Sequence, residues 1–86
     1  MERNDLVRFI LHYLLKNPDA GDTIEGIMHW WVRSEMLQLS SEGILEAVEL
    51  LCSEGILVQR KLRGDEKVYF FNKSRIQEAR LLLSKI

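Results

Sequence analysis

The sequence predicts a mainly α domain with a small β-hairpin, ordered as three helices, a hairpin and a C-terminal helix. Two observations carry that prediction. Apolar residues recur at helical spacing in four separate stretches. Between the third and fourth lie two β-rich runs on either side of the turn residues Gly64-Asp65. At 86 residues the chain is expected to be one domain, above the size at which a core alone becomes hard to assemble. No repeat, low-complexity tract or Pro/Ser-rich linker divides it. Residues 1–86 are therefore expected to form a single unit, with 4–72 as core and hairpin and 73–86 as the last helix.

The first helix runs from about Asn4, a good N-cap residue, to about Lys16, where Asn17-Pro18 stops it. Leu6, Phe9, Ile10, Tyr13 and Leu14 recur at helical spacing, and Val7, Leu11 and Leu15 widen the apolar arc. Only Asp5, Arg8, His12 and Lys16 remain on a narrow polar side. A helix this apolar is expected at the centre, with other helices on both flanks. Asp22 with Glu25 reads as a capping box that opens the second helix. There Ile24, Ile27, Met28 and Trp31 share one face, opposite Glu25, His29 and Arg33.

The third helix is expected to be capped by Ser40 or Ser41 and closed by Gly55, with Ile44, Ala47, Val48, Leu51 and Cys52 as its apolar face. The hairpin pairs Ile56 to Leu62 with Lys67 to Phe71. Ser74 to Ile86 forms the last helix, with Ile76, Ala79, Leu82, Leu83 and Ile86 on one side. One core cluster is expected from Leu6, Phe9, Ile10, Tyr13, Ile24, Met28, Trp31, Ile44, Val48, Leu51, Val68 and Phe70.

A composition of 47% apolar and 29% charged residues is that of a globular protein and excludes a disordered chain. A formal net charge of -1 supplies no bulk attraction to nucleic acid or to an anionic membrane. No apolar run approaches the ~18 residues of a membrane span, and the charged start MERNDL does not resemble a signal peptide. The single Cys52 excludes an intramolecular disulfide and a Cys-based zinc site. A reducing, cytoplasmic setting is the expectation.

The stretch LLCSEGILVQRKLRGDEKVYFFN, Leu50 to Asn72, resembles the winged-helix variant of the helix-turn-helix. Members of that family commonly end the recognition helix with Leu, a few polar residues, Gly and two or three aliphatics. A basic strand, a Gly-containing wing and an aromatic return strand then follow, and all these features stand here in order. The resemblance covers residues 4 to about 72, and the added last helix is a frequent extension. DTIEGIMHWWV is also similar to the second helix of short, uncharacterised bacterial winged-helix proteins. The resemblance implies fold more than function, because the family contains many protein-binding members.

In a DNA-binding member the exposed face of the third helix would supply donors to phosphates and base edges. Here that face carries Glu42, Glu46 and Glu49 with Ser53, and SSEGILEAVELLCSEG contains no Lys or Arg. Glu can accept from the cytosine amino group, but it meets phosphates with repulsion. At an effective dielectric near 80 and ~5 Å, each such approach costs a fraction of a kcal/mol, rising as water leaves. The plain alternatives are a solvated helix face and a protein-contact face that meets basic residues.

The wing holds Arg60, Lys61, Arg63 and Lys67 against Asp65 and Glu66, four bases against two acids, and stands at +2. It could contact phosphates without the helix doing so, although charged edge strands also simply prevent aggregation. The last helix, with Lys73, Arg75, Arg80 and Lys85 against Glu78, stands at +3.

No catalytic constellation is visible. His12 and His29 sit on different helices without metal-ligand spacing, and Cys52 falls on an apolar face. The chain is therefore expected to be non-enzymatic, without metal or other cofactor. The leading reading is a protein-interaction or regulatory adaptor that uses Glu42, Glu46, Glu49 and Trp30. The alternative is a DNA-binding transcriptional regulator, binding weakly through Arg60, Lys61, Arg63 and Lys67. Trp30 is either a core-edge residue or an interface anchor beside Gly26, a poor helix former that leaves a flat spot. A homodimer through the first and last helices is a further expectation, because Val7, Leu11 and Leu15 exceed what a three-helix core can cover, and Leu81 points away from the apolar side of its helix.

Overall fold

A computed structural model describes residues 3–31, 41–62 and 64–86, and of Arg3, Trp30, Trp31 and Ser41 it describes the backbone alone. Helix α1 spans Arg3–Lys16, one residue earlier than its sequence start. It ends at Asn17, whose backbone N and side-chain Nδ2 both donate to the Tyr13 carbonyl, at 2.8 and 3.0 Å. Leu6, Val7, Ile10, Leu11 and Leu14 are all buried. That enclosure is the expected one for a helix apolar over most of its circumference. It is achieved by packing α1 against both α3 (Ser41–Ser53) and α4 (Ile76–Lys85).

The expected two-stranded hairpin is a three-stranded antiparallel sheet. Strands β2 (Leu57–Lys61) and β3 (Lys67–Phe71) pair as foreseen, and β1 (Gly21–Asp22) joins β3 on its other side, giving the order β1-β3-β2. Gly21 faces Phe70 across the ladder, and a Cβ at Gly21 would overlap the Phe70 ring. A two-residue Gly-Asp strand has no alternation to read, so NPDAGDT looks like a plain loop in sequence. The same register corrects the place of Phe70. With side chains alternating across the strand, Leu57, Tyr69 and Phe71 turn into the main cluster, whereas Phe70 lies over Gly21 and is only half-buried. Val68 is buried on the Phe70 side of the strand, apart from that cluster.

The second helix also departs from expectation. α2 (Ile24–Gly26) runs on into a π-helical turn, Ile27–Trp31, where the sequence predicts regular α-helix. Its cap is Thr23 and not Asp22: Gly26 N donates to Thr23 Oγ1 at 3.2 Å, while Asp22 Oδ1 accepts from Thr23 N at 2.8 Å. With Thr23 as the cap and Asp22 Oδ1 taken by Thr23 N, the expected Asp22–Glu25 capping box gives way to a Thr23 cap. The Asp22 carboxylate occupies the space that a Cβ at Gly26 would need. Gly26 therefore makes room for the Asp22 carboxylate; its reading as a flat spot beside Trp30 lies outside the described side chains. The expected core place of Trp31 and edge place of Trp30 lie outside the described side chains, as does the connection through residues 32–40.

α3 closes as its sequence predicts. Gly55 takes a positive φ of 77°, and Gly55 N and Ile56 N donate to the carbonyls of Cys52 and Leu51 at 3.0 and 2.9 Å. That is the paired hydrogen-bond pattern of a Schellman end. Asn72 then ties three elements together. Its Nδ2 donates to the Gly55 carbonyl at 3.0 Å, its N donates to Ile56 O at 2.8 Å, and its Oδ1 accepts from Ser74 N at 3.2 Å. A single turn of 3₁₀ helix, Lys73–Arg75, leads into α4.

Of the expected core, Leu6, Ile10, Ile44, Val48 and Leu51 are buried in the main cluster, with Phe9, Tyr13, Ile24 and Met28 packed against it. The homodimer expectation rested on Val7, Leu11 and Leu15 exceeding what the core can cover; Leu15 is half-buried against the core, and the other two, Val7 and Leu11, decide the matter. Both are buried within the monomer, where Ala79, Leu82, Leu83 and Ile86 of the last helix join the same core. Leu81 does point away, 56% exposed.

Leu51→Ala is expected to cost about 2–5 kcal/mol of unfolding free energy in urea, because Leu51 is fully enclosed. A loss below ~1 kcal/mol would place the phase of α3 wrongly. Deletion of residues 76–86 is expected to destabilise the monomer itself, read as a lowered urea midpoint, since it uncovers Val7 and Leu11.

Candidate functional site

α3 presents its buried face to α1 and turns an acidic face outward. Glu42, Glu46 and Glu49 are exposed on that face, and none has an ion-pair partner among the described residues. Like charges three and four residues apart on a helix repel. Glu49 and the following Glu54 also lie toward the negative end of the helix dipole, with no basic residue in the last turn to offset them. The row is thus locally unfavourable, and only Glu42, in the first turn, sits where the dipole favours it.

Leu45 is the residue that sequence reading passed over. It is 39% exposed and lies between the acid row and the apolar face. The signal was present, since at 100° per residue Leu45 falls outside the Ile44–Val48–Leu51 stripe. It borders a surface cleft of about 520 Å³ between the start of α2, α3 and the hairpin. The other walls are Thr23, Ile24, Glu25, Asp65, Glu66, Lys67 and Tyr69. Three carboxylates against one ammonium surround an apolar patch of Ile24, Leu45 and the Tyr69 ring. An arrangement of this kind suits an apolar side chain flanked by cations.

Glu49 acts electrostatically on this wall. Burial pushes the Cys52 thiol above its ordinary pKa, and the Glu49 charge adds to the rise. Burial likewise raises the Tyr69 phenol, with contributions from Cys52 and Glu49. Both shifts favour the protonated forms, which lowers the share of thiolate at Cys52. His12 and His29 are exposed, and among the described residues no group of three His, Cys, Asp or Glu side chains could hold a metal ion.

The register separates the hairpin bases. Arg60 stands across from Val68, on the face that carries Val58 and Phe70. It lines a second hollow, of about 320 Å³, with Phe71, Asn72 and Lys73. Lys61 and Lys67 oppose each other on the other face, and Lys67 lines the acidic cleft. Arg63 and the Trp30 side chain lie outside the described residues. β2 is an edge strand, and Arg60 and Lys61 give it the charge that discourages edge-to-edge pairing.

No family model matches the chain, and comparison with curated proteins finds no match either. Among the described residues no helix is long and apolar enough to cross a membrane.

Cys52 and Tyr69 bind their protons more tightly in the folded chain than in the unfolded one. The stability they lend is complete below the unfolded pKa values, roughly 8.5 and 10, and is lost as pH rises through the folded ones. The urea midpoint is therefore expected to fall between about pH 8 and pH 10.5, and to fall less in Glu49→Gln. An equal fall in both proteins would show that Glu49 does not act on this pair.

Proposed function

We propose that the chain is a non-enzymatic winged-helix binding module, a protein-interaction or regulatory adaptor whose docking surface is the outward face of α3. Three helices followed by a hairpin, with the strand after α1 paired onto that hairpin, support the winged-helix assignment. The observation that carries the functional reading is the row Glu42, Glu46, Glu49, without an ion-pair partner among the described residues, running beside Leu45 and the acidic cleft. A row of repelling carboxylates is relieved by a basic partner and aggravated by a phosphate backbone. Leu45 adds an apolar contact of the kind that anchors protein interfaces.

Phosphate binding by the hairpin draws less support. Arg60 and the Lys61–Lys67 pair occupy opposite faces of the sheet, so they do not form one continuous basic row. Lys67 stands among carboxylates that compete for its charge.

The test is duplex-DNA anisotropy alongside capture from a host extract, with wild type compared against Glu42→Lys/Glu46→Lys/Glu49→Lys. Weak or absent DNA binding at ~150 mM salt is expected, together with proteins retained by wild type and lost from the variant. Nanomolar, sequence-selective DNA binding at that salt would overturn the reading. Should DNA bind weakly, substituting Arg60, Lys61 and Arg63 should flatten the salt slope by roughly one unit per lost phosphate contact.

A further inference from the structure

The acidic face of α3 has a matching surface on the same chain. α4 buries Ala79 and packs Leu82, Leu83 and Ile86 on the core, which turns Gln77, Arg80, Leu81, Ser84 and Lys85 outward. Glu78 is engaged by Arg75 at 3.7 Å, whereas Arg80 and Lys85 have no ion-pair partner among the described residues. Between them Leu81, at 56%, is the most exposed large hydrophobic of the described residues. One face therefore offers a leucine beside three unpaired carboxylates, and the other a leucine between two unpaired cations.

We propose that α4 of a second copy of this chain docks on the α3 face, setting Leu81 against Leu45 and bringing Arg80 and Lys85 to Glu42, Glu46 and Glu49. The proposal deepens the docking reading above and rests on it. Lengths agree: at 1.5 Å per residue, Arg80 to Lys85 rises about 7.5 Å and Glu42 to Glu49 about 10.5 Å, so both cations fall within the acid row. The two faces of one chain cannot satisfy each other, because α3 and α4 both pack on α1 and present the sides turned away from it. The contact is consequently between unlike faces. It leaves each terminal copy with one unmet face and allows assembly beyond a pair. Two short helices bury less than the roughly 1,200 Å² of a stable interface, so association is weak and reversible, around 10² µM.

Sedimentation velocity of the full chain from about 20 µM to 1 mM tests it, at ~50 and ~500 mM salt. The weight-average sedimentation coefficient is expected to rise with concentration at low salt and much less at high salt. Glu46→Lys/Glu49→Lys and Arg80→Glu/Lys85→Glu should each stay monomeric, and an equimolar mixture of the two should associate again. Leu81→Ser, which alters no charge, should weaken wild-type association by at least about threefold. Circular dichroism confirms that each variant is folded. Wild type that stays monomeric at 1 mM and low salt would overturn the proposal, as would a mixture that fails to associate or association that strengthens with salt. None of those results touches the extract comparison, so loss of self-docking is distinguishable from loss of the docking face altogether.

Discussion

The architecture depends on the burial of α1. Its apolar residues cover so much of its circumference that one neighbour cannot enclose them, and Val7, Ile10, Leu11 and Leu14 all reach full or nearly full burial. α3 takes one flank and α4 another. Once those positions are fixed, the remaining sides of α3 and α4 have to face outward. The acidic row and the basic, Leu81-bearing side are what is left over after the core is satisfied. Removing a few methylenes from α1 would loosen the placement of both outward faces as well as cost stability.

The second constraint is the junction where α3 meets the hairpin. Gly55 reverses the chain in a left-handed conformation, and Asn72 bonds back to Gly55 and Ile56 while opening the turn that leads to α4. One amide side chain thus fixes the end of α3, the end of β3 and the start of the last helix relative to one another. A Cβ at Gly55 would also approach the Arg75 guanidinium at 3.4 Å, in a conformation that L side chains rarely adopt. The direction of the acidic face is therefore held at both its packing surface and its C-terminus.

Much of this is legible in sequence, for identifiable reasons. The helical stripes of α1, α3 and α4 are strong because each buries one side against a common core, and Gly55 announces the end of α3. What escapes is set by pairing across the chain. A strand as short as Gly21–Asp22 has no periodicity, and the inward turn of Tyr69 and Phe71 in place of Phe70 follows from register with β1 and β2. Local capping escapes for a related reason: Asp22 and Thr23 are both good caps, and only the geometry shows Thr23 accepting from Gly26. For the site, the carboxylates could be placed on one face from spacing alone. Leu45 follows from the same spacing, but the cleft does not, because Tyr69, Asp65 and Glu66 join it only through the hairpin.

The absence of any cation from α3 is the point on which the proposed function turns. Cationic donors to phosphates and base edges are missing there, and the proposed docking surface gives the exposed Leu45 beside repelling carboxylates a partner. The most direct measurement is a ¹⁵N–¹H amide shift map of the full chain, recorded as the protein is concentrated from about 20 µM to 1 mM at low salt. The proposed docking predicts that shifts concentrate on residues 42–53 of α3 and 77–85 of α4, while Val58 and Arg60 on the outer face of the hairpin stay fixed. Shifts confined to the hairpin, or none at all, would contradict it.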